Sequence, residues 1–353
     1  MLYLRPDMRS KKRVTHRDVA KLAGVSTAVV SYVVNNGPRP TSPAVRERVL
    51  NAIQSLDYYP HAVARGLRAR RTNTIGFIVN DYTPLKVFLS PYSATVLTGL
   101  TAQLTSQHQY VLVYPMVIGE DMRDVERLLR SGRLDGVVVR LVQDPPATDA
   151  LLELIAATHV PCVCIERSPS PRFGLRSVIY DDWRGAYDAI SYLVGQGHRR
   201  IGHIRGDLRY STARARLDGY RRALAAHAFP LDEALIVGDD WAPASAKAGV
   251  AHLLTLPRPP TAIFAASDDF AFNAIEELRV RGCRVPEDIA VIGFDDIALA
   301  AELTPPLTTV RIPLMEIGRR AADLILESVE ASHDDSHPLV DILPVELVRR
   351  GTA

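Results

Sequence analysis

The apolar positions of this chain change their period after about the first sixty residues. In the opening stretch they recur every three to four residues, as Val19, Leu22, Val25, Val30 and Val33 and then Val45, Val49, Ile53 and Leu56. That is the spacing of one buried face on short helices. Polar residues divide the stretch. Thr15 with Asp18 three residues on has the form of a capping box, Gly24 suits the left-handed residue that ends a helix, and Ser26 can cap a second helix. A first helix ending at about Ala23, a turn of a few residues and a second helix, with small Ala20 where the two approach, predict a helix-turn-helix. Ser42 followed by Pro43 opens a third helix.

From residue 72 onward short apolar runs take over, at 75–79, 110–114, 136–140, 162–165, 201–204, 262–265 and 289–294. Amphipathic stretches lie between them, among them 95–107, 183–195 and 268–281. Continuous apolar strands alternating with helices predict parallel sheets covered on both faces, and the segment is too long for one such sheet, so two lobes are predicted. The fold class is therefore multidomain: an all-α helix-turn-helix head over 14–59, a hinge and linker over 60–71, and a two-lobed α/β domain over 72–353.

Charge sharpens this picture. The net charge of +2 conceals 14 Lys and Arg against 4 Asp and Glu in residues 1–71, or +10, and 28 against 36, or −8, in the remainder. A basic module on an acidic body points to a polyanionic partner, nucleic acid first. Residues 1–13 carry six charged side chains and no apolar stretch, and no run of about 18 uncharged apolar residues occurs. No signal peptide or membrane span is expected, and the location is expected to be cytoplasmic. Cys162, Cys164 and Cys283 lack metal-ligand spacing and read as packing residues in a reducing compartment. No cofactor or metal is expected. The chain has no Walker loop, no GxGxxG after a strand, no GxSxG elbow and no HExxH helix, and His198 beside a turn reads as capping or packing, so an enzyme is not expected.

A second helix of this kind enters the major groove with its N-terminal residues toward base edges. Thr27, Ala28 and Tyr32 are the candidates for reading bases. Thr15, Ser26, Ser31 and Asn35 are short polar groups suited to phosphates, which fix register without reading sequence. Capping is the competing role for each Ser or Thr, and Ser26 suits both.

The strings VTHRDVAKLAGVS, VVNN and VRERVLNAIQSLDYYPHAVARGL resemble the head and hinge of the lac repressor (LacI/GalR) family over residues 14–67. The resemblance implies a hinge helix over 61–68 that pairs with its two-fold mate in the minor groove, with His61, Ala64, Leu67 and Arg68 as contacts and Leu67 wedged into a central base step. Eight residues that include Gly66 are too few to form a helix alone, so the hinge is expected to order on DNA. His61 stands where the family usually has asparagine and Tyr32 where it often has arginine. The docking mode carries over, and the operator sequence does not.

The strings GQGHRRIGHIRG, ARLDGYRRAL, IFAASDDFA, VIGFDDIALA and LTTV make the body similar to the family's effector domain and to periplasmic sugar-binding proteins. This implies three crossings between lobes, near 177–181, 304–308 and 337–341, an N-lobe of 72–179 with 308–336 and a C-lobe of 180–307 with 337–353. Ligand is expected in the cleft at the carboxyl ends of the strands. Arg216 and Asp295 map onto the donor fork and the carboxylate that hold hydroxyls or polar ring atoms of a polyol or purine. Trp241 maps onto the ligand face, and Tyr92, Glu166, Thr212 and Ser267 onto further lining positions. Three other roles stay open: a structural Arg216–Asp295 ion pair, a core position for Trp241 and an N-cap for Asp268. The resemblance implies a ligand-responsive regulator, a homodimer on palindromic double-stranded operator DNA of roughly 14 to 20 base pairs, with a sugar or nucleobase effector. The alternative is a cytoplasmic solute-binding protein without a DNA role. The stripe Leu97, Leu100 and Leu104 suits either a dimer contact or the lobe core.

Overall fold

The computed structural model describes residues 14–34, 41–58, 71–81, 90–117, 119, 121–142, 148–169, 171–330 and 340–353. The expectations for Asn35, His61, Ala64, Leu67 and Arg68 lie outside the described residues. The chain divides into two compact units, Met1–Thr72 and Asn73–Ala353.

In the first unit α1 (His16–Ala23), α2 (Thr27–Val34) and α3 (Pro43–Ser55) follow the polar punctuation. The Asp18 carboxylate accepts from the Thr15 backbone N at 2.8 Å and from its hydroxyl at 2.7 Å. Gly24 takes φ +64° and ends α1, a conformation that costs a side-chain-bearing residue free energy. Val19, Ala20, Ala23, Val30, Val33, Val49, Ala52 and Tyr58 form the core. The Tyr58 hydroxyl lies 3.1 Å from His16 Nδ1 and ties the end of the third helix to the start of the first. Leu22 departs from its expected core place and is 56% exposed. Val19 and Ala23, four residues apart, take the inward face and leave Leu22 on the outer one. Val45, Ile53 and Leu56 are only half-buried, with Ile53 and Leu56 packed against this core.

The second unit holds two six-stranded sheets. The chain runs β1 (Thr74–Asp81), α4 (Pro91–Ser106), β2 (Tyr110–Val117), α5 (Arg123–Arg130), β3 (Gly136–Leu141), α6 (Asp149–Thr158), β4 (Cys162–Ile165) and β5 (Arg176–Tyr180). It continues through α7 (Asp182–Gly195), β6 (Ile201–Ile204), α8 (Ser211–Ala226), β7 (Ile236–Val237), α9 (Pro243–Thr255), β8 (Ala262–Ala265), α10 (Asp268–Val280), β9 (Ala290–Asp295), α11 (Leu299–Glu302) and β10 (Thr308–Arg311). It returns as α12 (Leu314–Glu330), β11 (Val340–Leu343) and β12 (Glu346–Val348). The first sheet is ordered β11-β5-β4-β3-β1-β2 and the second β12-β10-β9-β8-β6-β7; every pairing is parallel except β10 with β12. Every apolar run named above is a strand.

The lobes exchange chain at residue 181, at 312–313 and at 344–345. The second and third crossings therefore fall later than 304–308 and 337–341. Strand β10 still belongs to the second lobe, where Thr308 N donates to Thr352 Oγ1 at 2.9 Å and Thr309 Oγ1 donates to the Asp268 carboxylate at 2.5 Å. Strand β11 pairs with β5 in the first lobe. Helices α4 and α12 meet backbone to backbone: a Cβ on Gly99 would strike the Met315 carbonyl, and one on Gly318 the Val96 carbonyl. Leu100 and Leu104 are 1% and 0% exposed, so these two are lobe core; Leu97 is half-buried. No helix among the described residues is long and apolar enough to cross a membrane.

Candidate functional site

The first candidate face is on α2. Val30 and Val33 turn inward, while Thr27 and Ala28 are exposed and Ser31 and Tyr32, one turn further, are half-exposed. The four form one patch at i, i+1, i+4 and i+5, opposite the buried stripe. Ser26 is exposed, and its hydroxyl accepts from Val29 N at a long 3.4 Å. Thr15, exposed at the start of α1, keeps its hydroxyl on Asp18.

The second candidate is a cleft of about 580 Å³ in the other unit. All seven expected residues line it: Tyr92, Glu166, Thr212, Arg216, Trp241, Ser267 and Asp295. They arrive from the carboxyl ends of parallel strands and the starts of the following helices, where such folds gather side chains. Glu166 directly follows β4 and Asp295 ends β9, and both hold positive φ, +73° and +115°. Residues with side chains resist that backbone region and keep it only where surrounding bonds impose it. Beyond Asp295, Asp296 is clamped by Arg311 and Arg350, each at 2.7 Å.

The sequence reading missed Asp81, Arg140 and Tyr180, which with Glu166 and Tyr92 form the first lobe's polar centre. Arg140, at the end of β3, grips Glu166 with Nε at 2.5 Å and a second nitrogen at 2.9 Å, and reaches Asp81, the last residue of β1, at 3.3 Å. The Tyr92 and Tyr180 hydroxyls lie 2.9 Å apart. Burial first, then the Glu166 charge on Tyr92 and the Asp182 charge on Tyr180, raise both phenols, so the pair is neutral. A signal was available: Asp81 and Arg140 are charged residues at the ends of otherwise apolar strands. Two bonds then span the lobes. The Tyr210 hydroxyl donates to Asp81 at 2.7 Å, and Ser211 N donates to the Val142 carbonyl at 3.1 Å.

In the second lobe Arg216 is 3% exposed. Its Nε donates to Asp182 at 2.7 Å, another nitrogen donates to the Ala266 carbonyl and lies 3.5 Å from Asp295, and its guanidinium carbon stands 3.8 Å from the centre of the Phe294 ring. The ion pair left open above therefore has Asp182 as its close partner. Burial pushes Asp182 up to about 6 against the pull of Arg216. Burial likewise raises Asp295 well above the usual carboxylate range, again against Arg216. The Trp241 ring packs on Gly206, where a Cβ would strike it, and against Tyr210 and Phe270 at 6.1 and 5.5 Å between centroids. Its Nε1 is buried and finds no partner among the described residues. Ser267 caps α10, accepting from Phe270 N at 3.2 Å. Asp268, expected as that cap, is instead the first helical residue and binds Thr309 and the backbone N of Ile297. No cluster suited to a metal ion occurs among the described residues.

Residues 15–61 match bacterial regulatory proteins of the lacI family, and residues 190–353 match a periplasmic binding protein-like domain. The chain is 33% identical over 340 residues to the HTH-type transcriptional repressor PurR of Vibrio atlanticus, covering 96% of this chain and 98% of that one. It is 34% identical over 328 residues to the ribose operon repressor of Haemophilus influenzae, covering 92% and 95%. Among solved structures, the lac repressor dimer bound to operator and the anti-inducer ONPF superposes with a TM-score of 0.84 at 26% identity, covering 97% and 99%. A complex of the transcriptional regulator CelR with cellobiose gives 0.72 at 32%, covering 97% and 100%.

Proposed function

Since this chain belongs to the LacI family of bacterial regulatory proteins and is a ligand-responsive, DNA-binding transcriptional regulator, we propose that the inter-lobe cleft is its effector site and the exposed patch on α2 its operator-reading surface. The protein binds a palindromic operator as a dimer, and a small sugar-like or nucleobase-like molecule controls it. It acts by binding, not catalysis, and meets its operator in the cytoplasm.

One observation carries the reading of the cleft. Side chains from both sheets, fixed by Arg140 on one side and Arg216 on the other, face a single volume at the switch points of two parallel sheets. A ligand held there touches both lobes, so it can favour one lobe arrangement over another, and such differential affinity is what any controlling ligand requires. On the DNA side Thr27, Ala28 and Tyr32 read bases, while Thr15, Ser26 and Ser31 hold phosphates. Asn35 belongs with the phosphate contacts. The hinge contacts are His61, Ala64 and Arg68, with Leu67 as the wedge.

The test starts from duplexes selected out of a randomised palindromic pool by the full chain. Fluorescence anisotropy on the selected duplex is then repeated with sugars and nucleobases. Operator affinity should move at least tenfold with one of these compounds, and Asp295→Asn should abolish that movement. A selected duplex whose affinity no compound alters, or a response that survives Asp295→Asn unchanged, would refute the cleft as effector site.

A further inference from the structure

Resting on that reading of the cleft, we propose that the effector is an uncharged, hydroxyl-rich molecule and that the cleft refuses its phosphorylated or carboxylated counterparts. The described lining holds four carboxyl groups, Asp81, Glu166, Asp269 and Asp295, against two guanidiniums, Arg140 and Arg216, and no lysine or histidine occurs among the described residues of the cleft. Neither guanidinium keeps its whole fork for an anion. Arg140 is occupied by both oxygens of Glu166 and by Asp81. Arg216 gives Nε to Asp182 and one terminal nitrogen to the Ala266 carbonyl and, at 3.5 Å, to Asp295. The positive end of α10 is answered too, since its first turn carries Asp268 and Asp269.

What remains unmet is mostly acceptor. The Asp269 carboxylate takes no hydrogen bond from the described residues, and Asp295 has only its long contact to Arg216. The buried lining donors without a partner among the described residues are Trp241 Nε1 and the Ser93 hydroxyl. A hydroxyl both donates and accepts, so a polyol satisfies the carboxylates and the indole together. A phosphate has acceptor oxygens and a charge near −2; it would face carboxylates across a partly buried space where salt screens poorly. An arginine fork free of other partners is the group that normally holds such an anion, and the cleft offers none among the described residues. Its aromatic rims, Trp241, Tyr210 and Tyr92, suit the apolar face of a sugar ring and carry no charge.

The experiment is isothermal titration calorimetry of the full-length protein with mono- and disaccharides. Each is paired with its phosphorylated form, as ribose with ribose 5-phosphate and glucose with glucose 6-phosphate, and inorganic phosphate is run alone. For any sugar that binds, the phosphorylated partner should bind at least a hundredfold more weakly, and Asp269→Asn should narrow that gap. A phosphorylated sugar or inorganic phosphate that binds as tightly as the uncharged partner overturns the inference while leaving the effector site standing. Silence from every compound, with operator binding intact, overturns the inference and leaves the effector site to the anisotropy test with nucleobases.

Discussion

Replacing Arg216 by alanine leaves Asp182 and Asp295 buried with no countercharge, since the guanidinium is the cation that both face. A buried carboxylate in that position escapes by taking a proton. For an ordinary carboxyl near 3.9 this costs about 4 kcal/mol at pH 7 and about 1.4 kcal/mol less for each unit of acidification. Removing one side of a buried ion pair costs about 3 to 5 kcal/mol, the same range. Asp182 is already pushed up to about 6 with Arg216 present, so little further change neutralises it. The expected loss is about 3 to 5 kcal/mol at pH 7, and it shrinks by only about 1 to 2 kcal/mol at pH 5 because wild-type Asp182 takes up its own proton near 6. The sign follows from proton counts: between pH 7 and about 6 the folded variant holds a proton on Asp182 that the folded wild type has not yet taken up, so acid stabilises the variant relative to the wild type over that range. Urea unfolding followed by tryptophan fluorescence reads this directly, because the only two tryptophans, Trp183 and Trp241, belong to the second lobe. A loss below about 1 kcal/mol at pH 7, or one that does not change with pH, would refute the reasoning.

Three further outcomes are expected. Asp295→Asn should weaken effector binding more than tenfold in calorimetry yet leave operator affinity within about twofold, as loss of a charge-assisted bond in a buried site predicts; unaltered effector affinity would clear Asp295 of that role. His203, fully buried between the rings of Tyr220 and Phe264, is pushed down to about 4 by burial. Its depressed value means that the unfolded chain takes up the proton first, so stability should fall by up to about 3 kcal/mol as pH drops from about 6.5 to 4. His203→Phe should flatten that decline in denaturant titrations; the buried acids Asp182 and Asp268 shift the opposite way and are common to both proteins. Finally, operator affinity measured across salt should fall with a log–log slope of about −5 to −9, for roughly 6 to 10 phosphate contacts per dimer. A nearly flat line would contradict the charge asymmetry between head and body.

The head was legible because its signals are local. Thr15, Asp18, Gly24, Ser42 and Pro43 each fix a helix end through neighbours within four residues. The strands that escaped notice, β5, β7, β10, β11 and β12, are short or carry polar residues, and their polar groups are satisfied only by distant partners. Thr309 is buried because Asp268 receives its hydroxyl, and Thr308 because Thr352 meets its backbone. The cleft shows the same division. Arg216 and Asp295 stood out by motif, whereas Asp81, Arg140, Tyr180 and Tyr210 matter through pairings between residues as far apart as Asp81 and Tyr210. Leu22 shows that an apolar residue at helical spacing still depends on which of its neighbours faces the core.

The late return of the chain to the first lobe also constrains how the protein can be made. Strands β1 to β5 are synthesised early, but the face of α4 that carries Leu100 stays uncovered until α12 emerges, and the sheet lacks its edge until β11 does. By then the whole second lobe save its last strand has left the ribosome. The later lobe can therefore settle first, and the earlier one waits with an apolar helix face open to chaperones or to misassembly. A gene fragment ending after β5 would produce a sheet without its cover and should aggregate.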